Sequence, residues 1–106
     1  MAFVAVMEIP GLRTDQYDAI LERMDVVSRP SPGIYLHICA PTDEGLRITE
    51  LWDSEEGFRS FIEERMFPAA AELGIQADPV ISVKPLHFLF APRVGEIAQL
   101  VPSAAR

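Results

Sequence analysis

Between residues 2 and 9 the chain reads AFVAVMEI, with apolar side chains at both odd and even positions, which predicts a first strand buried on both faces. Pro10 and Gly11 end it. Thr14 then stands where an N-cap is expected, with Asp15 in the first turn to complement the helix dipole. Tyr17, Ile20, Leu21, Met24 and Val27 recur at helical spacing, predicting an amphipathic helix over residues 14–27. Two strand-like runs follow, IYLHICA (34–40) and LRITELW (46–52), and the turn formers PTDEG between them predict a hairpin. Pairing Ala40 with Leu46 puts Ile34, Leu36, Ile38, Ile48, Glu50 and Trp52 on one face. Tyr35, His37, Cys39, Arg47, Thr49 and Leu51 then share the other, and a slip of one residue would exchange the faces of one strand.

Asp53 and Glu56 have the spacing of a capping box, so a second helix is expected directly after the hairpin, with Phe58, Phe61, Ile62 and Met66 as its buried stripe. Pro68 cannot donate the amide hydrogen bond required there, which predicts a break or kink before a last helical piece at 69–73, ended by Gly74. A long final strand is expected over 80–90, with Pro85 placing it at an edge or marking a bulge. The order strand, helix, strand, strand, helix, strand is the ferredoxin-like α+β arrangement. It consists of a four-stranded antiparallel sheet covered by two helices on one face. The other face needs a cover, and a second copy of the same sheet supplies it most simply, which predicts a homodimer. On this reading residues 1–90 are the domain. Residues 91–106 form a tail whose Ile97, Leu100 and Val101 dock on the domain or on the partner subunit.

A length of 106 residues fits one domain. Sixteen acidic against nine basic residues leave a net charge of −7, which repels phosphate backbones and anionic lipid, so neither nucleic acid nor membrane is an expected partner. The single cysteine, Cys39, excludes an internal disulfide and a multi-thiolate metal site within one chain, and fits a reducing cytoplasm. The apolar start has no basic region and is cut by Pro10, unlike a signal peptide, and no run approaches a membrane span.

Few side chains offer chemistry. Glu50, among apolar neighbours Ile48 and Trp52, is a candidate general base or acid, or else a strand-end carboxylate paired with an arginine. His37 and His87 are candidates for proton transfer near neutral pH, or else hydrogen-bonded strand residues. Their separation gives no metal-ligand spacing, and no metal or other cofactor is expected. Cys39 reads as a small buried hydrophobe. Trp52 offers an indole that stacks on an aromatic ligand or fills the core. No glycine-rich phosphate loop or G-x-S-x-G elbow is present.

The stretch PSPGIYLH (30–37), Asp43, Gly45, and then ITELWDSEEGFRSFIEERMFPA (48–69) resembles the dimeric α+β barrel superfamily, in particular antibiotic-biosynthesis-monooxygenase-like proteins. The resemblance spans about residues 2–90. It implies a homodimer with an apolar pocket between sheet and helices, lined here by Trp52, Phe58, Phe61, Ile62 and Ile48, with His37 and Glu50 as catalytic candidates. Trp52 matches a pocket tryptophan of the cofactor-independent quinol monooxygenases. Ile48 and Phe58 stand where those enzymes have Asn and Tyr, and Ile62 stands where heme-degrading relatives have an axial His. The implied function is a cofactor-independent oxygenation, or a cyclase- or isomerase-type proton transfer, on a small aromatic or polyketide-like compound. The alternative is a non-catalytic binding or structural homodimer.

Overall fold

Valine- and isoleucine-rich runs form strands where the pattern predicts them. In the computed structural model, which describes residues 1–100, these are β1 (Phe3–Pro10), β2 (Ile34–Pro41), β3 (Gly45–Trp52) and β4 (Val80–Pro85). They make one antiparallel sheet of order β2-β3-β1-β4, so β1 is central and the Pro85-bearing β4 is an edge. With helices α1 (Thr14–Met24), α2 (Glu55–Phe61) and α3 (Phe67–Glu72) this is the ferredoxin-like α+β fold. Ala5, Met7 and Ile9 of β1 and Ile48 and Trp52 of β3 bury one sheet face against Ile20 and Met24 of α1 and Phe58 of α2. Val101, invoked as a docking residue of the tail, lies outside the described residues.

The helix boundaries correct several expectations. Thr14 is the first helical residue rather than the cap: Arg13 precedes it, and the Arg13 backbone N–H donates to the Gln16 side chain at 3.0 Å. The helix stops at Met24 because Asp25 takes a left-handed conformation (φ 56°), leaving Val27 outside it and exposed. At α2 the cap is Ser54, one residue beyond Asp53, and its hydroxyl accepts from Gly57 N–H at 3.0 Å. No break occurs at Pro68. Instead Ile62–Met66 widens into a π-helical turn that joins α2 to α3. The longer i→i−5 closure relieves the clash and the missing donor that a proline imposes on an α-helical ladder. The final strand is shorter than 80–90: it ends at Pro85, with one further bond from Leu86 N–H to the Ala2 carbonyl. His87 therefore lies beyond the strand and is exposed.

The hairpin register matters most for the site. Ile34 pairs with Trp52 as expected, but Tyr35 is an extra, unpaired residue, and beyond this bulge Leu36 pairs with Leu51, His37 with Glu50, Cys39 with Ile48, and Ala40 with Arg47 rather than Leu46. Paired residues share a face, so His37 and Cys39 turn toward the helices, while Leu36 and Ile38 move to the outer face beside Leu51. The turn explains the register at the other end. Thr42 N–H donates to the Gly45 carbonyl, the Thr42 hydroxyl accepts from the Glu44 and Gly45 amides, and a Cβ at Gly45 would lie 2.2 Å from the Ile9 carbonyl oxygen.

Candidate functional site

Glu50 sits two residues before the end of β3, on the helix-covered face, and is 1% exposed. A carboxylate there must be satisfied internally, and two side chains bond it. Trp52, two residues along the same face, donates its indole N–H to Glu50 Oε1 at 2.8 Å. His37 Nδ1 lies 2.6 Å from Oε2. In a neutral imidazole this arrangement puts the hydrogen on Nδ1, facing Oε2, and leaves Nε2 as the acceptor. Nε2 is 2.6 Å from the Tyr17 hydroxyl, which donates to it in that tautomer, and the two rings stack with centroids 6.0 Å apart. The result is a chain Tyr17–His37–Glu50–Trp52 running from α1 across the sheet. Its members differ in access: the Glu50 side chain is sealed, while the His37 side chain keeps 30% of its surface in solvent.

Burial raises the Tyr17 phenol well above its ordinary range, reinforced by Cys39 and the Glu50 carboxylate nearby. Burial likewise raises the Cys39 thiol. The sign of the resulting stability effect follows directly. Unfolded tyrosine loses its proton near pH ~10 while native Tyr17 keeps it, so the unfolded state is favoured progressively above that pH. Tyr17→Phe is expected to cost about 0.5–1.5 kcal/mol at neutral pH from the lost hydrogen bond, yet to lose stability less steeply than its parent above pH ~10. Thermal melts from neutral to alkaline pH, in a Cys39→Ser background that removes the thiol's parallel contribution, measure both. Identical alkaline slopes would contradict the assignment.

Three cavities surround this chain. A cleft of about 280 Å³ at the β2 edge is walled by Leu21, Val26, Ile34, Leu36 and Phe61 and reaches His37 and Glu50; no arginine or lysine of the described residues lines it. Beneath it an apolar void of about 30 Å³, lined in part by Met7, Ile48 and Tyr17, has room for about one water molecule. A broader groove of about 730 Å³ lies beyond Phe61, bordered by Trp52, Asp53, Arg29 and Arg65.

Among the residues singled out by sequence, His37 and Glu50 are thus brought together, correcting the expected placement of His37 and Cys39 on the face opposite Glu50. The Tyr35 bulge is the reason. Phe61 lines all three cavities, Ile48 the small void and Trp52 the broad groove. Phe58 and Ile62 line none of the three and lie in the core, with Phe58 edge-on to Trp52 at 6.1 Å. His87, exposed beyond β4, stands apart from the chain. Tyr17 entered the sequence reading only as part of a helix stripe. The available signal was its hydroxyl, which in a buried stripe needs a polar partner on the facing sheet.

No protein-family model matches the chain, and no curated protein matches it. Solved structures do. A protein from Chloroflexus aurantiacus J-10-fl, provisionally named an antibiotic biosynthesis monooxygenase, superposes with a TM-score of 0.59 at 16% identity, covering 86% of this chain and 98% of that one. SnoaB, a cofactor-independent oxygenase from Streptomyces nogalater, gives 0.56 at 14% identity over 83% and 93% of the two chains. A dimeric ferredoxin-like protein of unknown function from Thermobifida fusca gives 0.57 at 15% identity over 81% and 92%. The chain shares the ferredoxin-like α+β fold of these structures, the fold that the sequence resemblance implied.

Proposed function

We propose that the cleft at the β2 edge binds a neutral aromatic ligand bearing an acidic hydroxyl, and that the protein is a cofactor-independent monooxygenase in which His37 is the general base. The observation that carries this reading is a solvent-reachable imidazole oriented by a sealed carboxylate, at the floor of an apolar cleft. A ligand hydroxyl entering the cleft displaces Tyr17 from Nε2 and gives its proton there, and Glu50 stabilises the imidazolium that results. The deprotonated, electron-rich ligand then passes one electron to dioxygen and recombines with the superoxide at a ring carbon. The peroxide so formed takes back the imidazolium proton, and loss of water together with that carbon's hydrogen leaves one oxygen on the ligand as a carbonyl, while Phe61 and the aliphatic wall exclude solvent. The lack of a lining cation favours a neutral ligand over a carboxylate or phosphate.

We propose a homodimer through the outer sheet face, where Val4 and Leu36 flank Leu51 across the strands, Val6 pairs with Thr49, and Ile38 is 51% exposed. The tail docks on the domain or on the partner, which covers the exposed Leu100, and the compartment is the cytoplasm.

A non-catalytic binding or structural dimer is favoured by one observation, the nearly filled interior beneath the cleft. Titrating hydroquinones and polycyclic phenols against Trp52 emission, then following oxygen uptake with those that bind, separates the readings. Saturable quenching with ligand-dependent oxygen consumption is the expected result. Turnover without oxygen uptake would indicate a proton-transfer cyclase or isomerase, and absence of any saturable response would leave the structural dimer.

A further inference from the structure

The two larger cavities share a wall. Pro30, Ser31 and Phe61 border both the 280 Å³ cleft that reaches His37 and the 730 Å³ groove on its far side, so these residues stand between the base and the groove. The two halves of this partition come from different elements: Phe61 ends α2, and Pro30–Ser31 belong to the connection between α1 and β2. Neither half is rigid by its own sequence, since a loop has no ladder and a phenyl ring turns about its χ angles.

One side chain clasps both. The Arg65 guanidinium lies over the Phe61 ring, 5.7 Å from its centroid. Its Nη1 donates to the Arg29 carbonyl at 2.8 Å and to the Ser31 hydroxyl at 3.2 Å, and Nη2 donates to the Met24 carbonyl at 2.8 Å, tying the loop to the C-terminal end of α1. Trp52 supports the ring from the groove side, with centroids 5.7 Å apart. Phe61 is only partly buried, so its replacement opens space rather than emptying the core.

We infer that Phe61, held by Arg65, sets the length of ligand accepted at His37: with the ring in place the cleft ends at the partition, and without it the cleft runs on into the groove. This rests on the reading that the cleft binds the ligand. Phe61 acts as the specificity-determining residue and Arg65 as a positioning residue that never meets the ligand's reacting hydroxyl.

A linear series tests it with the full chain: 4-phenylphenol, with two rings, and 4-hydroxy-p-terphenyl, with three, titrated against Trp52 emission with thermal shift in parallel. The parent protein is expected to bind the two-ring phenol about tenfold more tightly than the three-ring one, the discrimination a hydrophobic wall affords. Phe61→Ala is expected to erase or invert that order by strengthening three-ring binding, and Phe61→Leu to go part of the way. Arg65→Met should move the ratio in the same direction by a smaller factor, which a merely structural arginine would not do because unfolding weakens both ligands equally. Should the alanine variant fail to fold, the leucine variant decides. Folded Phe61 variants that keep the parent's preference would overturn the inference while leaving the cleft reading intact. A parent protein that binds neither phenol would instead remove the cleft reading on which it rests.

Discussion

His37→Ala is expected to slow turnover of a ligand bound in the cleft by about 10²–10⁴-fold, the usual worth of a positioned general base. It is also expected to lower stability by about 1.5–3 kcal/mol, the range for a hydrogen bond to a charged group. The two effects have separate causes. The catalytic loss follows from removing Nε2. The stability loss follows from Glu50, whose side chain is fully sealed and would keep only the Trp52 N–H as donor after His37 is gone. His37→Gln distinguishes them, because a carboxamide N–H reaching Oε2 restores part of the stability while supplying no base. Glu50→Gln should be nearly as damaging as His37→Ala to turnover: the carboxamide nitrogen must face one of two N–H donors, so either the indole or the imidazole loses its acceptor. Urea melts and steady-state rates on the two single variants and the double variant would show a coupling of about 0.5–3 kcal/mol if the pair acts as a unit. A His37→Ala protein with the parent's stability and the parent's rate would sink the assignment.

That site was half legible in the sequence, and the missing half has a physical origin. Apolar runs, turn formers and helix spacing carry information about which segments are strands and helices, because burial and backbone restriction act on every residue of an element. The element order, the central β1 and the edge position of β4 follow from such averaged signals. Glu50 was visible too, as a carboxylate between Ile48 and Trp52 on a strand with period two. The position of His37 depended instead on one residue. Tyr35 bulges out, the register slips by one, and an imidazole assigned to the outer face arrives against Glu50. A bulge leaves no periodic trace, and here alternation points away from it, since Ile34, Leu36 and Ile38 form an unbroken apolar face in the regular register. The placement of Leu36 and Ile38 on the outer face becomes economical only if that face is covered, as the proposed dimer provides. Pro68 tells a similar story. Its chemistry announces a disturbance, but whether the helix breaks or widens into a π turn is decided by packing, with Phe58 and Ala69 held in the core on either side of the widened turn.

Phe58→Ala is expected to destabilise the domain by about 3–5 kcal/mol, a large share of the roughly 5–15 kcal/mol that such a fold possesses. Phe58 is 0% exposed and packs edge-on to Trp52, and a close-packed interior relaxes only partly into the space a phenyl ring leaves. By contrast Ile62→Val, in the same stripe, should cost about 0.5–1.5 kcal/mol. Denaturant unfolding followed by circular dichroism reads both, and the comparison with ligand binding gives the experiment its force. If Phe58 backs the pocket wall without touching the ligand, the folded fraction of either variant binds a phenol with the parent's affinity, because the lost free energy is spent on the core alone. A Phe58→Ala protein that unfolds at the parent's midpoint yet binds the phenol weakly would reverse that picture. It would place the ring in contact with the ligand and move the binding surface from the β2 edge into the space beneath α2.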